Sequence, residues 1–306
     1  MDQSFGVKLS GLVPTYASSL RNIPDLAVEF ERLGFDDVMD GEHILYMGEM
    51  HHPGGAGNFE HSRSEQRSDR WDTLVMFAAI AARTSRLKMI SGILLAAAHT
   101  TAVLACQAST LDVISGGRFM LGVGGGWNAA EFEQMGIPPT ERAARTEETI
   151  RACKELWAPG LSSFDGRWTG FRDVISEPAP ATPGGPPVWW GGDACVTSTA
   201  RRIATLADGW VSREAAGYDE IARCVESIHR ACERYGRDPS TVGVRASLTA
   251  TSDWNAASTV EDLTERAIAR ATCLAALGVT HFNVPLSYYG IELEALGGIL
   301  KTLRAA

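Results

Sequence analysis

At 306 residues and 45% hydrophobic content, the chain is long enough for a sizeable core, and a barrel of about 250 residues plus insertions fits it. A net charge of −9 argues against a nucleic-acid partner, because no basic stripe is left to neutralise phosphates. The six cysteines are scattered without a CxxC pair, and no secretory leader precedes them, so a reduced, cytoplasmic protein is expected.

In chain order the pattern is strand then helix throughout. Val7 to Val13 reads as strand 1, and Ile23 to Leu33 as a helix closed by Gly34. Phe35 to Met39 is strand 2, followed by a long irregular insert over Asp40 to Arg70. Trp71 to Arg83 is helical, Leu87 to Leu94 is strand 3, and Thr101 to Ile114 is a helix stopped by Ser115, Gly116 and Gly117. Strand 4 is Phe119 to Val123, and Thr140 caps the next helix, which runs to Trp157. Pro159 to Pro187 is a Pro- and Gly-rich insertion with one strand at Arg172 to Ser176. Beyond it come strand 5 (Val188 to Trp190), a helix (Ala194 to Leu206) and strand 6 (Gly209 to Ser212). A helix over Tyr218 to Tyr235, strand 7 (Val242 to Thr249) and a helix over Val260 to Leu277 follow. Strand 8 (Phe282 to Leu286) and a helix over Ile291 to Leu303 close the chain.

Eight strands, each with its helix, predict an α/β fold, a (β/α)8 TIM barrel over residues 1–306 with insertions at about 40–70 and 159–187. A doubly wound sheet lacks its fingerprint, since GVGGGW places Trp127 where the third glycine of GxGxxG belongs. Met89 to Cys106 is uncharged and largely apolar, but Gly92 and His99-Thr100-Thr101 break it, so no membrane span is expected.

In such a barrel the chemistry belongs at the C-terminal strand ends. Strand 2 ends in Asp40, Gly41, Glu42 and His43, and His43 is an acid/base candidate because imidazole titrates near neutrality. Strand 3 carries Ser91, Gly92 and Ile93. Strand 4 ends in Gly124, Gly125, Gly126, Trp127 and Asn128, where missing Cβ atoms would let a flat ligand approach. Strand 5 ends in Gly191, Gly192, Asp193 and Ala194, a Gly-Gly turn into a helix that suits a phosphate, unless Asp193 caps the helix instead. His51, His52 and His61 with Glu49 and Glu60 match no compact ligand spacing, so no metal is expected, and Gly54-Gly55-Ala56-Gly57 suggests a lid. Asp112 and Arg118 are placed to pair across a helix-to-strand turn.

At GFDDVMDGEH, TSRLKMISGIL, QASTLDVISGGRFMLGVGGGWNAAEFEQMGIP, ERAARTEE, PPVWWGGD and ATLADGW the chain resembles the bacterial luciferase-like monooxygenase family. It looks most like the actinobacterial branch that uses the deazaflavin F420. The resemblance implies a flavin-like ring at the barrel mouth. It implies a bulge at Gly92-Ile93, often with a cis peptide, behind the ring, with ring and tail contacts at Gly124, Gly125 and Asn128. It also implies phosphate contacts at Gly191, Gly192 and their neighbours. Glu42 and His43 stand at the family's acidic-His pair, His43 as proton donor or acceptor with Glu42 as its orienter, and Trp127 as a pocket wall. The glutamate that some F420-dependent dehydrogenases carry in the strand-4 loop is replaced here by glycine. Hydride transfer between F420 and a small organic substrate is the activity implied. An FMN-dependent monooxygenase fed by a separate flavin reductase is the alternative, and a non-catalytic flavin-binding protein the third. The 24 arginines against 4 lysines suggest a GC-rich genome, which favours F420. A homodimer, served by an F420-reducing enzyme or a flavin reductase, is expected from the family alone.

Overall fold

A computed structural model describes residues 3–10, 12, 16–45, 49–51, 58–60, 71–214, 216–248, 259–284 and 292–305. Eight parallel strands close a barrel: β1 (Ser4–Lys8), β2 (Asp37–Asp40), β5 (Lys88–Ser91), β6 (Phe119–Val123), β9 (Val188–Gly191), β10 (Gly209–Val211), β11 (Gly243–Ser247) and β12 (His281–Val284). Their order around the barrel is β1-β12-β11-β10-β9-β6-β5-β2, so the expected TIM barrel is present. The helices around it are α1 (Ile23–Leu33), α2 (Thr73–Arg83), α3 (Thr101–Ser115), α5 (Arg142–Trp157), α6 (Thr197–Leu206), α7 (Tyr218–Arg234), α8 (Val260–Ala276) and α9 (Leu293–Ala305). Their apolar faces pack on the outward strand residues in one large core that includes Phe30, Phe77, Phe119, Ile203, Ile228 and Phe282.

Inside the barrel lies a second apolar cluster of Met39, Ile90, Met120, Trp189 and Val211. Beside it Arg245 makes a two-pronged contact with Asp37, Nη1 at 3.0 Å from Oδ2 and Nη2 at 2.6 Å from Oδ1, with Asn283 Oδ1 as a further acceptor. Both charges are almost fully buried, so each needs the other and its hydrogen bonds to offset lost hydration. Gly6 is what makes room: a Cβ there would overlap Asp37 Oδ1 and Arg245 Nη2.

Several boundaries differ from the sequence-based expectation. Strand 1 lies at Ser4–Lys8, and Leu9 and Leu12 are buried as loop residues. The α5 helix begins at Arg142 after Glu141, with no side-chain cap, so Thr140 is not its cap. A short helix, α4 (Ala129–Gln134), was not expected. The insertion before β9 holds a hairpin, β7 (Ser162–Asp165) with β8 (Gly170–Val174), because Phe164 and Phe171 stack across it at 5.9 Å. In the earlier insertion β3 (Glu49–His51) pairs with β4 (Asn58–Glu60). His52, His61 and the lid expected over Gly54 to Gly57 lie outside the described residues, as do Val13, Thr249, Leu286 and Ile291. Asp112 and Arg118 do not pair. Asp112 accepts from Thr182 N and Oγ1, while Arg118 donates to the carbonyls of Ala81, Thr84, Leu87 and Ser115. Asp112 thus anchors the insertion before β9, and Arg118 satisfies carbonyls of the α2–β5 connection as well as that of Ser115 in its own turn.

Candidate active site

The four sequence segments singled out above end β2, β5, β6 and β9, and these strands are consecutive neighbours in the barrel. Residues 40–43, 91–93, 124–128 and 191–194 therefore meet on one contiguous side of the mouth. The peptide Gly92-Ile93 is cis and sits between the β2 and β6 ends. Gly92 N donates to Asp40 O at 2.6 Å, Glu42 N to Ile93 O at 2.9 Å, and Leu94 N to Gly122 O at 2.8 Å. Gly41 must be glycine, since a Cβ there would stand 2.9 Å from Gly92 O. Ser91 is fully buried; its hydroxyl donates to Gly122 O and accepts from Gly122 N, both at 2.8 Å. Its hydroxyl staples β5 to β6.

Gly124 after β6 and Gly191 at the end of β9 both face a neighbour within the protein. A Cβ on Gly124 would come within 2.5 Å of Ile93 Cδ1, and one on Gly191 within 2.5 Å of Ile93 Cγ2. The Ile93 side chain occupies the space that both glycines vacate, so each glycine seats that side chain as a wedge. Gly125 and Gly192 remain open: a Cβ on Gly125 would only reach ordinary contact with Ala143 and Arg142, and Gly192 (φ +128°) only Thr199. Arg142 beside Gly125 is a cation that the sequence pattern did not single out.

Glu42 does not orient His43. Its carboxylate accepts from Leu95 N at 2.8 Å and lies 3.0 Å from His99 Nε2, tying the β2 end to the segment after the bulge. Burial alone would lower the His99 pKa, but the hydrogen bond and charge of Glu42 win and hold it above its ordinary value. The carboxylate that meets His43 is Glu131, on α4, with Oε2 2.8 Å from Nδ1. Glu131 Oε1 also accepts from Ile44 N at 2.6 Å and Leu45 N at 3.1 Å. Burial would raise the Glu131 pKa; His43 and the two backbone donors outweigh it and hold the carboxyl below its usual range. Trp127 stands edge-on to His43, ring centroids 5.4 Å apart at 74°. One signal for Glu131 was available: Asn128-x-x-Glu131 has the spacing of a helix capping box, which predicts the short helix though not its target.

Asn128 is 8% exposed, and its Nδ2 has no partner among the described residues. A buried orphan donor at the mouth rim fits a bound group that supplies an acceptor. At the β9 end, Asp193 does not cap α6, which begins only at Thr197; its Oδ1 accepts from Cys195 N at 2.9 Å. Gly192 O accepts from Trp210 Nε1 at 2.8 Å, and Ala194 is fully buried. On the far side of Gly92 a cavity lined by Lys8, Met39, Val211, Glu214 and Arg245 continues into the barrel, with Lys8 Nζ bonded to Glu214 Oε2 at its edge. Among the described residues no helix is long and apolar enough to cross a membrane.

The family model described as luciferase-like monooxygenase matches residues 4–296. An uncharacterized protein of Mycobacterium tuberculosis (strain ATCC 25618 / H37Rv) is 30% identical over 201 residues, 65% of this chain and 70% of that one. The FMNH2-dependent dimethylsulfone monooxygenase of Pseudomonas putida is 30% identical over 180 residues, 56% of this chain and 48% of that one. Among solved structures, an F420-dependent secondary alcohol dehydrogenase with an F420-acetone adduct superposes with a TM-score of 0.76. It is 16% identical, with 99% of both chains covered.

Proposed function

Because this chain belongs to the luciferase-like monooxygenase family, we propose that it is an F420-dependent oxidoreductase acting on a small organic substrate at the barrel mouth. The observation that carries this is His43, held by Glu131 and edge-on to Trp127 at the neighbouring β2 and β6 ends, beside the open Gly125 and the buried Asn128 Nδ2, which has no partner among the described residues. The Gly92-Ile93 peptide would back the ring, with Gly125 and the orphan Nδ2 of Asn128 meeting its rim or tail. Gly124 and Gly191 contribute by seating Ile93. The turn Gly191 to Ala194 would hold the phosphate, with Gly192 as its open position. When bound, the deazaflavin supplies a two-electron hydride at C5. His43 holds or releases the proton that balances the hydride, and Glu131 fixes its ring through Nδ1. Glu42 supports the bulge through Leu95 and His99. A homodimer served by an F420-reducing enzyme completes the proposal.

The Pseudomonas putida relative supports a second assignment, FMN with a separate flavin reductase and oxygen as co-substrate. Anaerobic titration with F420 and with FMN, each oxidised and reduced, separates the two. Micromolar binding of F420 with weak FMN binding supports the first; preference for reduced FMN, with oxygen-dependent turnover, replaces it. His43→Ala should bind cofactor normally and turn over at least tenfold more slowly. Unchanged turnover removes the proton role.

A further inference from the structure

Two cysteines outside the proposed proton chemistry lie against each other. Cys195 follows the turn Gly191 to Ala194 and is exposed; Cys224 is buried on α7, 29 positions away in sequence. Their Sγ atoms are 3.1 Å apart. Asp193 joins them: its Oδ1 accepts from Cys195 N at 2.9 Å and from Cys224 Sγ at 3.6 Å. These are the three ligand atoms within 4.8 Å of one another that the described residues offer to a metal. The spacing suits a metal poorly, because two thiolates on tetrahedral zinc at about 2.3 Å stand roughly 3.8 Å apart. A disulfide at about 2.05 Å requires only about 1 Å of further approach.

We propose that Cys195 and Cys224 are a modification site: a dithiol that peroxide converts reversibly to a disulfide, stitching the loop after β9 to α7. Peroxide reaches the exposed Cys195 first. The Cys195 sulfur displaces water from hydrogen peroxide and becomes a sulfenic acid, the thiol being oxidised by two electrons and the peroxide reduced. The Cys224 sulfur then forms the S–S bond and expels the sulfenic oxygen as a second water, so two thiols and one peroxide give one disulfide and two waters. Burial, and next the hydrogen bond with Cys195, push the Cys224 thiol up to about 12. That makes it a poor first target, and Asp193 Oδ1 is the acceptor in place to take its proton in the second step.

The test treats the reduced full chain, in the presence of a chelator, with stoichiometric hydrogen peroxide and follows intact mass and peptide maps. The expected result is a loss of about 2 Da and a peptide joining residues 195 and 224, both reversed by dithiothreitol. Cys195→Ser and Cys224→Ser should each abolish the change, and oxidised wild type should melt a few degrees higher than reduced. A stable gain of one or two oxygens on Cys195 without a cross-link overturns the proposal. In a parallel titration without chelator, stoichiometric zinc uptake that shields both thiols overturns it too. The peptide map of wild type decides the matter even if a variant fails to fold. Resting on the function proposed above, the bond should also slow cofactor dissociation several-fold. Failure of any cofactor to bind either form counts against that function and leaves the mass result standing.

Discussion

Two carboxylate–histidine pairs flank the β2 end, and they are built for different work. Glu42 and His99 pair across from the β2 end to the segment after the bulge; His43 and Glu131 pair from the same β2 end to α4. Both carboxylates are buried and both imidazoles mostly so. The difference lies in what else each carboxylate carries. Glu42 accepts one backbone N–H besides its histidine, and Glu131 accepts two, at Ile44 and Leu45. Glu131 thus shapes the whole segment that presents His43, with Trp127 edge-on beside it. The Glu42 pair ties two loops together; the Glu131 pair aims a ring.

The sharpest way to break that contrast is Glu131→Ala. It leaves two partly buried N–H groups and a histidine without their acceptor, so a loss of about 3–5 kcal/mol by denaturant melting is expected. Turnover should fall about 100-fold, as for a general acid or base that has lost its place. Glu42→Ala should cost less, about 2–3 kcal/mol in the same melt, with a turnover loss near tenfold. Equal turnover losses in the two variants would erase the distinction.

pH separates the pairs by sign. Glu131 is held below its ordinary 4.5, so its stabilisation is present above that value and lost as pH falls through the folded pKa. His99 is held above its ordinary 6.5, so its stabilisation is fully present below 6.5 and lost as pH rises through the folded pKa. Thermal melts across pH should therefore show an acid-side loss that Glu131→Gln removes and a neutral-to-alkaline loss that His99→Gln removes. A shared pH window for both variants would show the pairs to be one unit.

The smallest expected effect concerns the wedge beneath both pairs. Gly124→Ala should cost about 1–3 kcal/mol, since its Cβ would meet Ile93 Cδ1 at 2.5 Å and Gly191 O at 3.0 Å. Ile93→Ala made together with it should return part of that loss. Strict additivity in the double-mutant cycle would show that Ile93 is not the obstacle.

The barrel was legible because each strand carries a short apolar run and each helix an amphipathic stripe or a Gly stop such as Gly34. The mouth segments were legible for the same reason: glycines and polar residues interrupt the apolar runs at strand ends. Partnership was not. His43 and Glu131 are 88 positions apart and Glu42 and His99 are 57 apart, and adjacency of Glu42 to His43 suggested a pair that the loop after β2 does not make, since Glu42 turns to Leu95 and His99 and His43 to Glu131. The glycines were legible as sites of close approach, but a missing Cβ does not tell that Ile93 is what approaches Gly124 and Gly191. Likewise α4 was hidden by its length, six residues being too few for a periodic stripe.

The buried Asp37–Arg245 contact, permitted by Gly6, has a consequence for traffic. Arg245 and Met39 line the cavity beside Gly92 as well as filling the barrel axis, so anything that lodges there meets a guanidinium already committed to Asp37 and Asn283 and stops short of the barrel interior.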